Sequence, residues 1–78
     1  MKEILEIMIK NLVEDENSVS IEEVAQDNQI KFEVRVAEGD MGRVIGKRGK
    51  IAQSIRTVMK AISAKEDKKT VVTVEFID

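Results

Sequence analysis

Ile30, Phe32, Val34 and Val36 alternate with Lys31, Glu33 and Arg35 without a break. Strict period two over a run of this length marks a strand that buries one face and wets the other. Such a strand needs partner strands beside it and a cover over its apolar side. The remainder of the 78-residue chain must supply both.

Leu5, Met8, Ile9, Leu12 and Val13 recur at i, i+3, i+4, i+7 and i+8, which predicts an amphipathic helix over about 3–13. Glu3 and Glu6 sit near its positive end, where acids are favourable. Glu14 to Ser18 form a polar turn, and Val19, Ile21 and the residues to Ala25 predict a short strand. The polar tetrad Gln26 to Gln29 suits a hairpin connection into the strand of Ile30–Val36. After Ala37-Glu38-Gly39, Asp40 is placed to cap a short helix over 41–45. Gly46-Lys47-Arg48-Gly49 interrupts, and a longer helix runs from about Lys50 to Ala64 with Ile51, Ile55, Val58 and Ile62 on one face. Lys65 to Lys69 make a charged turn before a closing strand in which Val72, Val74 and Phe76 alternate with their neighbours. The expected fold class is α+β, in two layers. Its order is α-β-β-α-α-β, a three-stranded sheet packed against three helices, in one domain over 1–78.

The chain has no cysteine, histidine, tryptophan, tyrosine or proline. Disulfides and zinc clusters are therefore excluded as staples, and packing, with or without self-association, must hold so short a chain together. The same absences argue against an enzyme, since acid–base and nucleophilic catalysis near neutral pH lean on histidine. No cofactor or metal is expected. No unbroken apolar run is long enough to span a membrane, and acids interrupt the N-terminal apolar residues, so the expectation is a cytoplasmic protein without a leader. Phe32 and Phe76 are the only aromatics, both on apolar strand faces, which speaks for core and against base-stacking platforms. The four methionines read as gap-fillers.

A net charge of −2 seems to argue against a nucleic-acid partner. The distribution says otherwise. Residues 41–60 hold six cations, Arg43, Lys47, Arg48, Lys50, Arg56 and Lys60, and no acid, leaving the rest of the chain at −8. Arg56 and Lys60 stand at i and i+4 as like charges, an arrangement that repels without an anionic partner. At the centre lies Gly46-Lys47-Arg48-Gly49 between two helices. Glycines let the backbone take positive φ and approach a ligand closely, and the amides opening the next helix favour an anion. Taken alone, the same four residues also read as helix punctuation, with Gly46 as a C-terminal cap. A Walker A loop is excluded: only three residues separate Gly42 from Gly46, and Arg48 follows Lys47. The dinucleotide fingerprint is excluded by Val44, two places before Gly46.

Val44-Ile45-Gly46-Lys47-Arg48-Gly49-Lys50-Ile51, followed by Ile55, resembles the signature of the KH domain, a single-stranded nucleic-acid binder whose G-x-x-G loop clamps the backbone. The resemblance takes in a core over about 29–77, preceded by an α-β extension over about 2–25 that looks like the type II, bacterial arrangement. The whole is similar to the small bacterial single-KH proteins of the KhpA family. That resemblance implies a non-catalytic partner of single-stranded RNA. Gly46 and Gly49 would admit the sugar-phosphate backbone, Lys47 and Arg48 would supply charge, and Arg43 and Lys50 would flank the loop. Ile45, Ile51 and Val34 are candidates for an apolar groove under the bases, or for the core. Arg56 and Lys60 extend the cationic run along the following helix. The resemblance further implies a homodimer, a larger KhpB-like KH partner, RNA-chaperone or post-transcriptional work, and a link to cell elongation and peptidoglycan homeostasis. The competing reading is a protein-interaction adaptor on the same scaffold.

Overall fold

The computed structural model describes residues 1–78. Helix α1 spans Lys2–Leu12, strands β1 and β2 span Ser20–Gln26 and Gln29–Arg35, helices α2 and α3 span Met41–Ile45 and Lys50–Glu66, and strand β3 spans Val71–Phe76. The order is α-β-β-α-α-β as expected, an α+β fold with one three-stranded sheet in the order β1-β2-β3.

β1 and β2 pair antiparallel from Ser20↔Arg35 to Gln26↔Gln29, so only Asp27 and Asn28 make the turn of the anticipated tetrad. Asp27 takes φ 54, a left-handed conformation that aspartate tolerates better than most residues. β2 and β3 pair parallel, from Gln29↔Val71 to Val34↔Phe76. Parallel neighbours require a crossover, and α2 and α3 supply it. Asn28 secures the entry of that crossover into β3: its side chain donates to Lys69 O at 3.1 Å, and its carbonyl accepts from Val71 N at 2.8 Å.

Register dictates the core. Phe32 and Val34 of β2, Ile21 of β1, and Val72 and Val74 of β3 point to one side and meet Leu5, Ile9, Val44, Ile55 and Met59 from the helices. Phe32, Val34, Leu5 and Met59 are wholly buried. The inward stripe of α3 is Ala52, Ile55, Met59 and Ser63, with Ile51 and Ile62 partly buried beside it, so that of the anticipated face only Val58 departs. Helical spacing of about 100° per residue turns Val58 outward, where it is 42% exposed. The hydroxyl of Ser63 donates to Thr70 O at 3.2 Å, and no buried side-chain polar atom lacks a partner.

A second correction concerns Asp40. Its side chain caps no helix. The carboxylate instead accepts the backbone N–H groups of Glu14 at 3.1 Å and Asp15 at 3.0 Å, just beyond α1, and Arg43 Nε at 3.0 Å. The chain leaving α1 brings two amides within reach, and a buried carboxylate is best satisfied by several donors.

Candidate nucleic-acid interface

α2 is short and ends where Gly46 takes φ 76, ψ 176, its N–H donating to Gly42 O at 2.9 Å. Arg48 and Gly49 follow at φ 56 and φ 73, two successive left-handed residues that turn the chain into α3. A non-glycine residue held left-handed is uncommon, and sparsely populated conformations of this kind concentrate at ligand-binding segments.

The glycines differ in what they do. A Cβ on Gly46 would lie 2.6 Å from Ile51 Cγ1 and 2.9 Å from both its Cβ and Cδ1. Hence Gly46 is a close-approach glycine, letting the loop backbone rest on Ile51. A Cβ on Gly49 would meet nothing within 4 Å, so Gly49 serves only its positive φ.

The loop presents charge without internal neutralisation. Lys47, Arg48 and Lys50 are exposed, and no ion pair joins any of them to another part of the chain. α3 begins with no acid in its first turn and no side-chain cap, leaving the positive end of its dipole beside those cations. A helix start and three free cations thus share one small surface, whose chemistry favours phosphate oxygens.

Other residues anticipated from the sequence lie elsewhere or are engaged. Arg43 is held within the chain, its Nη2 donating to Glu14 Oε1 at 2.6 Å and its Nε to Asp40 Oδ1. Arg56 turns toward the sheet, where Nε donates to Val74 O at 3.0 Å and the guanidinium lies 5.6 Å from the Phe76 ring centre. Lys60 is exposed and unpaired, further along α3. Val34 is wholly buried and offers a ligand no surface, whereas Ile45 and Ile51 are half-buried and pack against the core. Phe76 is partly buried rather than enclosed, with Arg56 covering its ring.

Two features escaped sequence reasoning. Asp40 is held below the ordinary carboxylate range, first by the Asp15 and Glu14 amides and then, against its burial, by Arg43. Its partners lie 25 and 26 residues away, so no local pattern signals them. The other feature is a groove of about 490 Å³ between α1 and α3, floored by Met8, Leu12, Ile51 and Ile55 and rimmed by Ile7 and Val58. Ile7 lies off the inward stripe of α1, and an apolar residue outside that stripe is the one local signal that could have marked the groove.

Residues 2–74 match the family model described as KhpA/KhpB, KH domain. The chain belongs to that family. Its three-stranded mixed sheet and preceding α-β extension are the type II arrangement of the KH fold. The chain is 49% identical over 74 residues to the RNA-binding protein KhpA of Clostridium perfringens, covering 95% of this chain and 99% of the relative. It is 47% identical to that of Clostridium acetobutylicum over 74 residues, with the same coverage of each. Against the RNA-binding protein KhpA of Listeria monocytogenes the identity is 41% over 69 residues, 88% of this chain and 91% of the relative. No solved structure matches the chain. Gly46-Lys47-Arg48-Gly49 lies within the matched residues, between α2 and α3.

Proposed function

We propose that residues 1–78 act as one KH unit that binds single-stranded RNA without catalysis, its backbone held by the Gly46-Lys47-Arg48-Gly49 loop. The observation that carries this reading is the loop itself. Two left-handed residues and a close-approach glycine bring Lys47, Arg48 and Lys50 together, unpaired, at the uncapped start of α3. Membership of a family whose similar proteins are named RNA-binding supports RNA as the polyanion. Gly46, Lys47, Arg48, Gly49 and Lys50 form the contact surface, with Ile45 supporting it from below.

Replacing Lys47 and Arg48 together by Asp tests the assignment, because both side chains are exposed and neither contributes to the core. RNA affinity at low salt should collapse while the thermal midpoint stays near that of the parent. Unchanged affinity in that variant would sink the assignment. For two to four phosphate contacts, log affinity should fall against log salt with a slope of about −1.4 to −2.8.

A second reading follows from the groove between α1 and α3. Ile7 and Val58 remain 61% and 42% exposed at its rim, an apolar surface of the kind that a partner covers. We propose that a second copy, or a larger KH protein of the KhpB kind, covers it, so that the protein is also an adaptor and two RNA sites act together. Sedimentation of the parent and of Ile7→Asp checks this, with the monomer expected in the variant. No helix is long and apolar enough to cross a membrane. By family resemblance we place the protein in the cytoplasm, as an RNA chaperone or post-transcriptional regulator linked to cell elongation and peptidoglycan homeostasis. Deletion of the gene followed by measurement of cell length tests the last link.

A further inference from the structure

Arg43 is the cation of the 41–60 segment whose charge is already matched by carboxylates within the chain. Its partner Asp40 is only 4% exposed and also holds the Glu14 and Asp15 amides. Together these contacts tie the end of α1 to the start of α2. Five residues make α2 too short to persist as an isolated helix. Its position is fixed at one end by this clamp, in its middle by the buried side chain of Val44, and at the other end by Gly46 resting on Ile51.

We infer that the Asp40–Arg43–Glu14 clamp positions the Gly46–Gly49 loop, so that Asp40 and Arg43 are positioning residues for RNA binding and not ligand contacts. The contact between Gly46 and Ile51 tolerates little displacement, since the backbone already lies where a Cβ would collide. A rotation of α2 about Val44 lifts Gly46 off Ile51 and carries Lys47 and Arg48 away from the start of α3. Phe32, Leu5, Ile9 and Met59, which join the sheet to α1 and α3, lie outside the clamp and hold the rest of the fold without it. Loop geometry and overall fold are thereby separable. The inference rests on the loop being the RNA site.

The test compares Asp40→Asn and Arg43→Met with the parent and with the Lys47→Asp/Arg48→Asp variant. Each is titrated with a short oligouridylate at several salt concentrations, well below its thermal midpoint, and amide shifts of residues 46–50 are followed by NMR. Asp40→Asn and Arg43→Met should each lose affinity about 5- to 10-fold as the competent loop population falls, with an unchanged salt slope. Loop amide shifts should move while those of β2 stay. Lower midpoints with affinity per folded molecule unchanged would leave the clamp a purely structural feature and overturn the inference. A slope reduced by about 0.7 in Arg43→Met would make Arg43 a phosphate contact and overturn it as well. If the Lys47→Asp/Arg48→Asp variant binds like the parent, the loop assignment itself fails. If that variant is impaired while the clamp variants match the parent, only the clamp is refuted.

Discussion

Gly46→Ala should be the most damaging single-methyl change in the loop, and Gly49→Ala a mild one. At Gly46 two penalties combine. Its φ 76, ψ 176 conformation is essentially restricted to glycine, and forcing alanine into it costs about 1–3 kcal/mol. The added Cβ must also displace Ile51, whose Cγ1 would lie 2.6 Å away, an overpacking penalty of about 1–3 kcal/mol. The sum, about 2–6 kcal/mol, is a large share of the ~5–15 kcal/mol by which folded domains are stable. Gly49 carries only the left-handed penalty of about 1–2 kcal/mol, partly offset because alanine restricts the unfolded chain. For a domain of this size about 4–8 °C follows from each kcal/mol, so the two midpoints should separate clearly in thermal unfolding followed by circular dichroism. Ile51→Ala supplies the decisive arm. It removes Cγ1 and Cδ1 from the path of the new methyl but leaves its own Cβ, 2.9 Å away. The double variant should therefore be less destabilised than the two single changes summed, by about 1–2 kcal/mol. Equal midpoints for the two glycine variants, or no coupling in the cycle, would refute the packing argument.

Arg48→Gly relieves the left-handed residue at φ 56 while loosening the unfolded chain, so stability should change by less than about 1 kcal/mol. Its salt slope for RNA should become shallower by about 0.7, read from titrations across salt. Arg56→Met keeps the aliphatic stem but loses the bond to Val74 O and the position over Phe76, which should cost about 1–2 kcal/mol in urea denaturation. Its RNA salt slope should match the parent's. Asp40 has a folded pKa below the ordinary 3.8, so its stabilisation is fully present above that value and is lost as pH falls through the folded one. The midpoint gap between the parent and Asp40→Asn should stay constant from neutral pH into the mildly acidic range and close at lower pH. Glu3 and Asp67 are also held low, but both proteins share them, so the difference isolates Asp40.

Elements set by local periodicity were readable from the sequence, with ends displaced by about a residue. The alternation of Ile30 to Val36 describes β2, and the stripe through Leu5 and Ile9 describes α1. The inward face of α3 was legible at Ile51, Ile55 and Ile62 but incomplete, because Ala52 and Ser63 carry no hydrophobic signal, while the exposed Val58 does. Burial follows helix geometry and close approach, and small residues mark close approach only once the partner surface is known. The loop was legible because its glycines, charges and flanking helices are contiguous. Asp40 and Arg56 were misread because the groups that satisfy them, the Glu14 and Asp15 amides and Val74 O, come from distant segments.

Charge counting over residues 41–60 was right about the segment and wrong about which members of it are free. Arg43 is matched by two carboxylates from outside the segment, and Arg56 by a carbonyl and an aromatic face. What remains is a compact trio at the loop and Lys60 apart from it. This partition sharpens the site. A polyanion passing the surface meets unmatched positive charge at Lys47, Arg48 and Lys50, at the start of α3, and a compensated pair at Arg43 beside them. Within this partition Glu14 and Asp40 neutralise the other cation next to the loop. A small net negative charge is thus compatible with recognition of a polyanion, because the average conceals the unmatched cations Lys47, Arg48 and Lys50 gathered at one loop.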